Sequence, residues 1–170
     1  MSRGNPPVSI RQVPLVEPGS LRLLDVGLQV LVFLTRGSAR GTEVLLLHRV
    51  PERFPIWQGV TGRVEEGERL LSAARREVEE ETGAIGVGDL RSLNHVHSFS
   101  LEGRFREFYP GCRAVEEHLF TGSLPARFEP RLDRREHDDW RFADLREAEA
   151  LLHWPSNREA LRLLPAARAR

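Results

Sequence analysis

The stretch GRVEEGERLLSAARREVEEETGA, from Gly62 to Ala84, constrains this chain more than any other. It carries no proline or glycine between Leu70 and Thr82, and Gly67 and Gly83 stand on either side, so the pattern predicts a loop, a helix and a stop. A helix turns by ~100° per residue. Leu71, Ala74 and Val78 therefore fall on one apolar stripe, while Glu77, Glu80 and Glu81 occupy the adjacent arc and face a common point. Like charges at i, i+3 and i, i+4 repel, and something positive is needed to hold them together. A hard divalent cation is the simplest candidate. Mg²⁺ takes oxygen ligands, keeps some of its waters and leaves positions open for substrate phosphates; Mn²⁺ can substitute for it. Arg76 can offset part of the charge by pairing with Glu80 one turn on. A solvated acidic face is the ordinary reading of such a run, but Gly62, Gly67 and Gly83 at their fixed spacings favour a site.

With 170 residues and 40% hydrophobic content, the chain can bury one proper core. We expect a single domain over 21–170 after an N-terminal extension, 1–20. There Pro6, Pro7, Pro14 and Pro18 forbid a helix and leave at most a short edge strand from Val8 to Val13. Lys plus Arg balance Asp plus Glu at 25 each, which gives no global field for nucleic acid or an anionic membrane and points to small partners. The sequence contains neither an apolar run of membrane-spanning length nor a signal-peptide core, and its lone Cys112 has no internal disulfide partner. A cytoplasmic location is the expectation. Both monomer and homodimer stay open.

The run VGLQVLVFLT, Val26 to Thr35, is too continuously apolar for an exposed strand and belongs in the middle of a sheet. Residues 36–43 read as a hairpin connection, and Val44 to Arg49 as the returning strand. A short strand at Trp57 to Thr61 leads into the acidic helix and sets Trp57 and Gln58 just upstream of it. Further strands are expected at Leu90 to Phe99, Phe105 to Tyr109, Ala114 to Gly122 and Trp140 to Phe142. Asp144 and Ser156 are candidate caps for two closing helices. His95 and His97 alternate on one strand, but no further ligand follows at zinc spacing, and Cys112 reads as structural.

The residues Gly62, Glu68, Arg76, Glu77, Val78, Glu80, Glu81 and Gly83 together resemble the Nudix box, the signature of the Nudix hydrolase superfamily; the one departure is Ala84, where a bulkier aliphatic residue is usual. The resemblance implies an α/β fold, the Nudix α/β/α sandwich with a mixed β-sheet, and Mg²⁺-dependent hydrolysis of a polyphosphate. It also implies metal ligation by Glu77, Glu80 and Glu81 with the Gly62 carbonyl, and an orienting role for Arg76. Either Glu77 or Glu136, the latter in the string EHDDWRF, would act as base; Glu136 is a further candidate ligand. Outside the box, WQGVTGRVEEGE, REFYPG, Glu136-His137 and SNREAL are similar to the branch of the family that acts on dihydroneopterin triphosphate. That similarity implies release of pyrophosphate to leave the monophosphate. A pterin triphosphate also needs an aromatic surface to stack on and cations away from the metal, for which Trp57, Tyr109, Arg49 and Arg106 are the candidates, with Gln58 as a further substrate contact. A dinucleoside polyphosphate or nucleoside triphosphate would suit the same inventory. A non-catalytic nucleotide-binding module is the alternative of another class, although such modules typically lose box carboxylates that this chain keeps.

Overall fold

The computed structural model describes residues 26–164 except residue 40. The proline-rich extension and its expected edge strand lie outside the described residues. The chain runs β1 (Val26–Ser38), β2 (Gly41–Arg49), β3 (Trp57–Gln58), β4 (Val60–Arg63), α1 (Leu70–Thr82), β5 (Arg91–Ser100), β6 (Ala114–Ser123), β7 (His137–Asp144), α2 (Leu145–Leu151) and α3 (Pro155–Arg162). The strands form one mixed sheet in the order β3-β2-β1-β6-β5, in which β1 and β6 are parallel; β4 joins β1 and β7 joins β2.

The apolar run of β1 takes the central place because both faces of the sheet are covered. Val30, Val32 and Leu34 pack with Ala73, Ala74 and Val78 of α1. Leu31 and Phe33, pointing the other way as strand alternation requires, pack with Ala148 of α2 and Ala160 and Leu161 of α3. β1 pairs with β4 at residues 29–32 and with β2 at residues 35–38, so the sheet forks along it. Gly59 sits in that fork. A Cβ there would lie 2.8 Å from the Val32 carbonyl oxygen, and this close approach divides the expected Trp57–Thr61 strand into β3 and β4.

Three local expectations change. Residues Gly103–Phe108 form a 3₁₀ helix instead of a strand, closed by Phe105 N–H to Glu102 O and Tyr109 N–H to Arg106 O, with Gly103 at φ +55°. α3 starts at Pro155, whose ring presets the first helical turn, and Trp154 rather than Ser156 is the capping position, without a side-chain bond. On α1, Leu71 is 42% exposed and Ala73 is buried in its place. Asp144 does cap α2, accepting from Glu147 N–H at 2.8 Å. Among the described residues no helix is long and apolar enough to cross a membrane.

One polar chain crosses the sheet on the α2/α3 side. Glu117 of β6 is buried, and its Oε2 accepts from Gln29 Nε2 of β1 at 2.6 Å, its register partner. Gln29 Oε1 in turn accepts from the Tyr109 hydroxyl. Burial pushes the Glu117 carboxyl up to about 7, with the Gln29 bond opposing the shift. A folded-state pKa raised in this way adds stability that is complete below the unfolded value and is lost as pH rises through 7. The Glu117→Gln variant should therefore gain on the parent between pH 5 and pH 8, by at most about 3 kcal/mol, read from thermal or urea unfolding at both pH values. A constant difference would mean that Glu117 does not titrate in that window.

Candidate active site

The N-terminal half of the box is a loop, and Arg76 ties it to the helix. Its Nε and Nη2 form a fork on Glu68 at 3.0 and 2.9 Å, Nη2 also donates to the Arg63 carbonyl at 2.9 Å, and Nη1 reaches Glu77 at 2.6 Å and Glu80 at 3.4 Å. Glu68 Oε2 accepts from the Glu65 N–H at 3.0 Å and so closes the turn that contains Gly67 at φ +75°. The Arg76 bond holds the Glu68 carboxyl below the usual carboxylate range, and the two glutamates Glu68 and Glu77 raise the guanidinium. Arg76 thus pairs chiefly with Glu68, and its expected contact with Glu80 is the longest of the set.

The three box carboxylates fan from the core to the solvent. Glu81, at i+7 from Ala74, lies in the buried stripe itself and is 3% exposed. Glu77 is mostly covered and Glu80 is exposed. Burial pushes Glu81 far above the ordinary carboxylate range, reinforced by the negative charges of Glu77 and Glu136; a bond from the Thr61 backbone and the charge of Arg49 act against it. Glu77 is also raised, mainly by burial, although Arg76 pulls it down. Glu81 Oε2 has no hydrogen-bond partner; the nearest imidazole nitrogen, His137 Nε2, is 3.9 Å away and equally unpartnered. His137 is held neutral, its pKa lowered to about 4 mainly by burial.

β4 brings the backbone to this group. A Cβ on Gly62 would fall inside the Glu77 carboxyl, so only glycine lets strand and side chain approach so closely. From the other side β7 supplies His137 and the turn before it supplies Glu136, which Arg53 pairs with at 3.3 Å. Among the described residues no three carboxylate, imidazole or thiol side chains converge as a ready-made metal cage. The common focus expected of Glu77, Glu80 and Glu81 is not formed because Arg76 draws Glu77 and Glu80 aside while Glu81 turns into the core. The donor chemistry nevertheless fits a hard divalent cation: every oxygen is a carboxylate or carbonyl, one buried carboxylate oxygen of Glu81 is orphaned, and the glycine lets the Glu77 carboxyl sit against the β4 backbone.

The expected substrate contacts divide between the two faces. Arg49 lies with Glu81 and His137 on the α1 side. Gln58 is buried and donates to Thr61 Oγ1 at 3.0 Å, which braces the fork. Trp57 packs towards α2, its ring 5.0 Å from His48 and with the Arg141 guanidinium 5.5 Å from its centroid. Arg106 donates at 3.1 Å to the Leu101 carbonyl just before its own 3₁₀ turn, and Tyr109 closes over Gly27. Arg53, His137, Gln29 and Glu117 went unassigned in the sequence reading. Glu117 had a signal there, as the one acid that alternation sets on the face of Val115 and Leu119.

A forked mixed sheet carrying this box on its first helix defines the class, and a NUDIX domain model matches residues 26–164. The chain belongs to the NUDIX family, whose members with these features are pyrophosphohydrolases, hydrolases of acid anhydrides. Over 127 residues it is 35% identical to the dihydroneopterin triphosphate diphosphatase of Escherichia coli K12, covering 72% of this chain and 83% of that protein. The solved structure of the E. coli dihydroneopterin triphosphate pyrophosphohydrolase superposes with a TM-score of 0.67 at 32% identity, over 79% of this chain and 92% of the other. An octanoyltransferase of Myxococcus xanthus is 37% identical over 133 residues, 78% of this chain, but the match spans only 35% of that protein's length.

The Gly62→Ala substitution should push Glu77 off its seat on β4 and off Arg76 while leaving both cores untouched. A displacement of this size is expected to lower polyphosphate hydrolysis about 100-fold, with circular dichroism and melting temperature near the parent's. Undiminished turnover would show that the seat of Glu77 is irrelevant to the chemistry.

Proposed function

We propose that the chain hydrolyses a phosphoanhydride of a heterocycle-linked triphosphate, with dihydroneopterin triphosphate as the preferred substrate, and releases pyrophosphate to leave the monophosphate. The observation that carries the hydrolytic reading is the buried Glu81 carboxyl, whose Oε2 no donor meets, beside Glu77 on its glycine seat. A buried carboxylate oxygen that no donor meets is costly in its charged form unless a cation arrives. Glu77, Glu80 and Glu81, with the Gly62 carbonyl and Glu136 as a further ligand, would hold Mg²⁺, or Mn²⁺ in its place. Bound there, the ion neutralises polyphosphate charge and acidifies a water.

The remaining work falls to side chains. Arg76 keeps the helix carboxylates aligned by tying them to Glu68 and the β4 backbone. Glu77 or Glu136 takes the proton of the attacking water. Arg49 and Arg53 stand on the same side as cationic contacts for phosphates, and neutral His137 packs against Glu81 without adding a competing charge. The substrate assignment is supported by the E. coli relative, which matches over most of its own length. The soluble, small-molecule character of the reaction is part of the same proposal.

Glu81→Gln should cut turnover about 100- to 1,000-fold and abolish the rise in melting temperature that Mg²⁺ gives the parent, with folding intact because a neutral amide suits a buried site. Near-parental turnover would remove the metal assignment. In a side-by-side panel with Mg²⁺, dihydroneopterin triphosphate should show the highest kcat/KM and release pyrophosphate, ahead of GTP, ATP and a dinucleoside tetraphosphate. Equal or better efficiency on the dinucleoside tetraphosphate would transfer the assignment to that class.

A further inference from the structure

The sheet face opposite α1 holds a second set of unsatisfied polar atoms. Glu117 is 4% exposed and its Oε1 has no partner, while Oε2 is held by Gln29. Tyr109 donates its hydroxyl to Gln29 Oε1, so the amide orientation is set and Nε2 points at the carboxylate. His97, the β5 register partner of Glu117, has a buried Nε2 without a partner. It also meets the start of α3, where its ring bonds to the Ser156 backbone. In that same turn Asn157 is 2% exposed and its Oδ1 is unpartnered. Phe105 and Trp154 meet edge to face, 6.2 Å between centroids, and join the 3₁₀ turn to the start of α3. An apolar residue would satisfy this face of β6 better than an acid, and nothing in the hydrolytic machinery on the other face uses Glu117.

Arg63 connects the two faces. Its carbonyl accepts from Arg76, while its guanidinium lies 5.9 Å from the Tyr109 ring centroid and donates to the Phe108 carbonyl at 2.6 Å. Burial is the main cause that raises the Tyr109 hydroxyl pKa, and the charges of Glu117 and Glu77 add to it. Arg63 is the register partner of Gln29, so a molecule with its phosphates at the box can extend past Arg63 to Tyr109, Gln29 and Glu117.

We infer that Glu117 reads the heterocycle of the substrate, its two carboxylate oxygens accepting from the adjacent ring N–H and exocyclic amino group of a 2-amino-4-oxo pyrimidine ring, the edge shared by pterins and guanine. Paired donors on one edge match a carboxylate's two acceptors in a bidentate arrangement. Adenine presents a ring acceptor beside its amino group, and that lone pair would face the carboxylate. A buried site built for hydrogen bonds rejects ligands that leave it unpaired far more strongly than an apolar pocket does. Entry of a ring requires the 3₁₀ turn to move outward, and that turn is held by short-range bonds and by Arg106 on the Leu101 carbonyl. The inference deepens the proposed substrate class and rests on it for the location of the phosphates.

The test uses phosphate-free ligands, two nucleosides and a pterin, which report on this site whether or not any triphosphate is hydrolysed. By isothermal titration, guanosine and neopterin are expected to bind the full chain at least about 10-fold more tightly than adenosine. Glu117→Gln should erase that preference, and Gln29→Met, which removes the donor anchoring Oε2 and leaves Glu117 in place, should weaken it; unfolding curves of both variants establish that they are folded. Equal binding of the three ligands by the parent, no saturable binding up to millimolar concentration, or a preference that survives in folded Glu117→Gln would each overturn the inference. Failure of the triphosphate panel with the nucleoside preference intact would count against the hydrolytic reading alone.

Discussion

The fork of Arg76 on Glu68 is the interaction on which the site depends. A loop containing Gly62 and Gly67 would otherwise move independently of the helix that follows it. One guanidinium joins the Glu68 end of that loop, the carbonyl of Arg63 on β4 and the carboxylates of Glu77 and Glu80 on α1. Its planar array of donors is what allows a single side chain to bond to so many acceptors, and lysine, with a compact charge, could not reproduce the fork. Removing it would release Glu68 and leave Glu77 largely buried with no cation beside it, the arrangement in which an uncompensated charge is most costly.

Around this staple the sheet separates two kinds of chemistry. The α1 face gathers hard oxygen donors and, from β2 and the turn after it, Arg49 and Arg53. The α2/α3 face gathers aromatic rings and a hydrogen-bonded line from Tyr109 through Gln29 to Glu117. The division follows from strand alternation: in β4, Gly62 faces α1 while its neighbours Thr61 and Arg63 face the other layer, so a single short strand serves both sides. The fork in β1 gives β4 this position by moving it off the line of β2 and β3.

Much of this was legible in the chain itself. The box announced its loop, helix and stop because each rests on local rules: glycine at positive φ, the absence of helix breakers between Leu70 and Thr82, and Gly83 in the left-handed conformation after the last turn. The central position of β1 followed from an apolar run too continuous for a strand with one wet face, and the cap at Asp144 from a side chain that needs only a neighbouring N–H. These features are decided within a few residues of where they are read.

Tertiary structure decided what depends on residues far apart in the chain. The sequence spaced Glu77, Glu80 and Glu81 on one arc, but only the packing of α1 against the sheet buried Glu81, covered Glu77 and left Glu80 in water, because burial depends on the surface a helix meets as well as on its own periodicity. His137 and Glu81 became neighbours across more than fifty positions only because β7 lies beside β2. The strand expected at Phe105 to Tyr109 became a 3₁₀ turn because Tyr109 is drawn over Gly27 and onto Gln29. Glu117 looked like one of a pair of strand glutamates; its burial was settled when β1 and β5 closed on either side of β6 and helices covered that face.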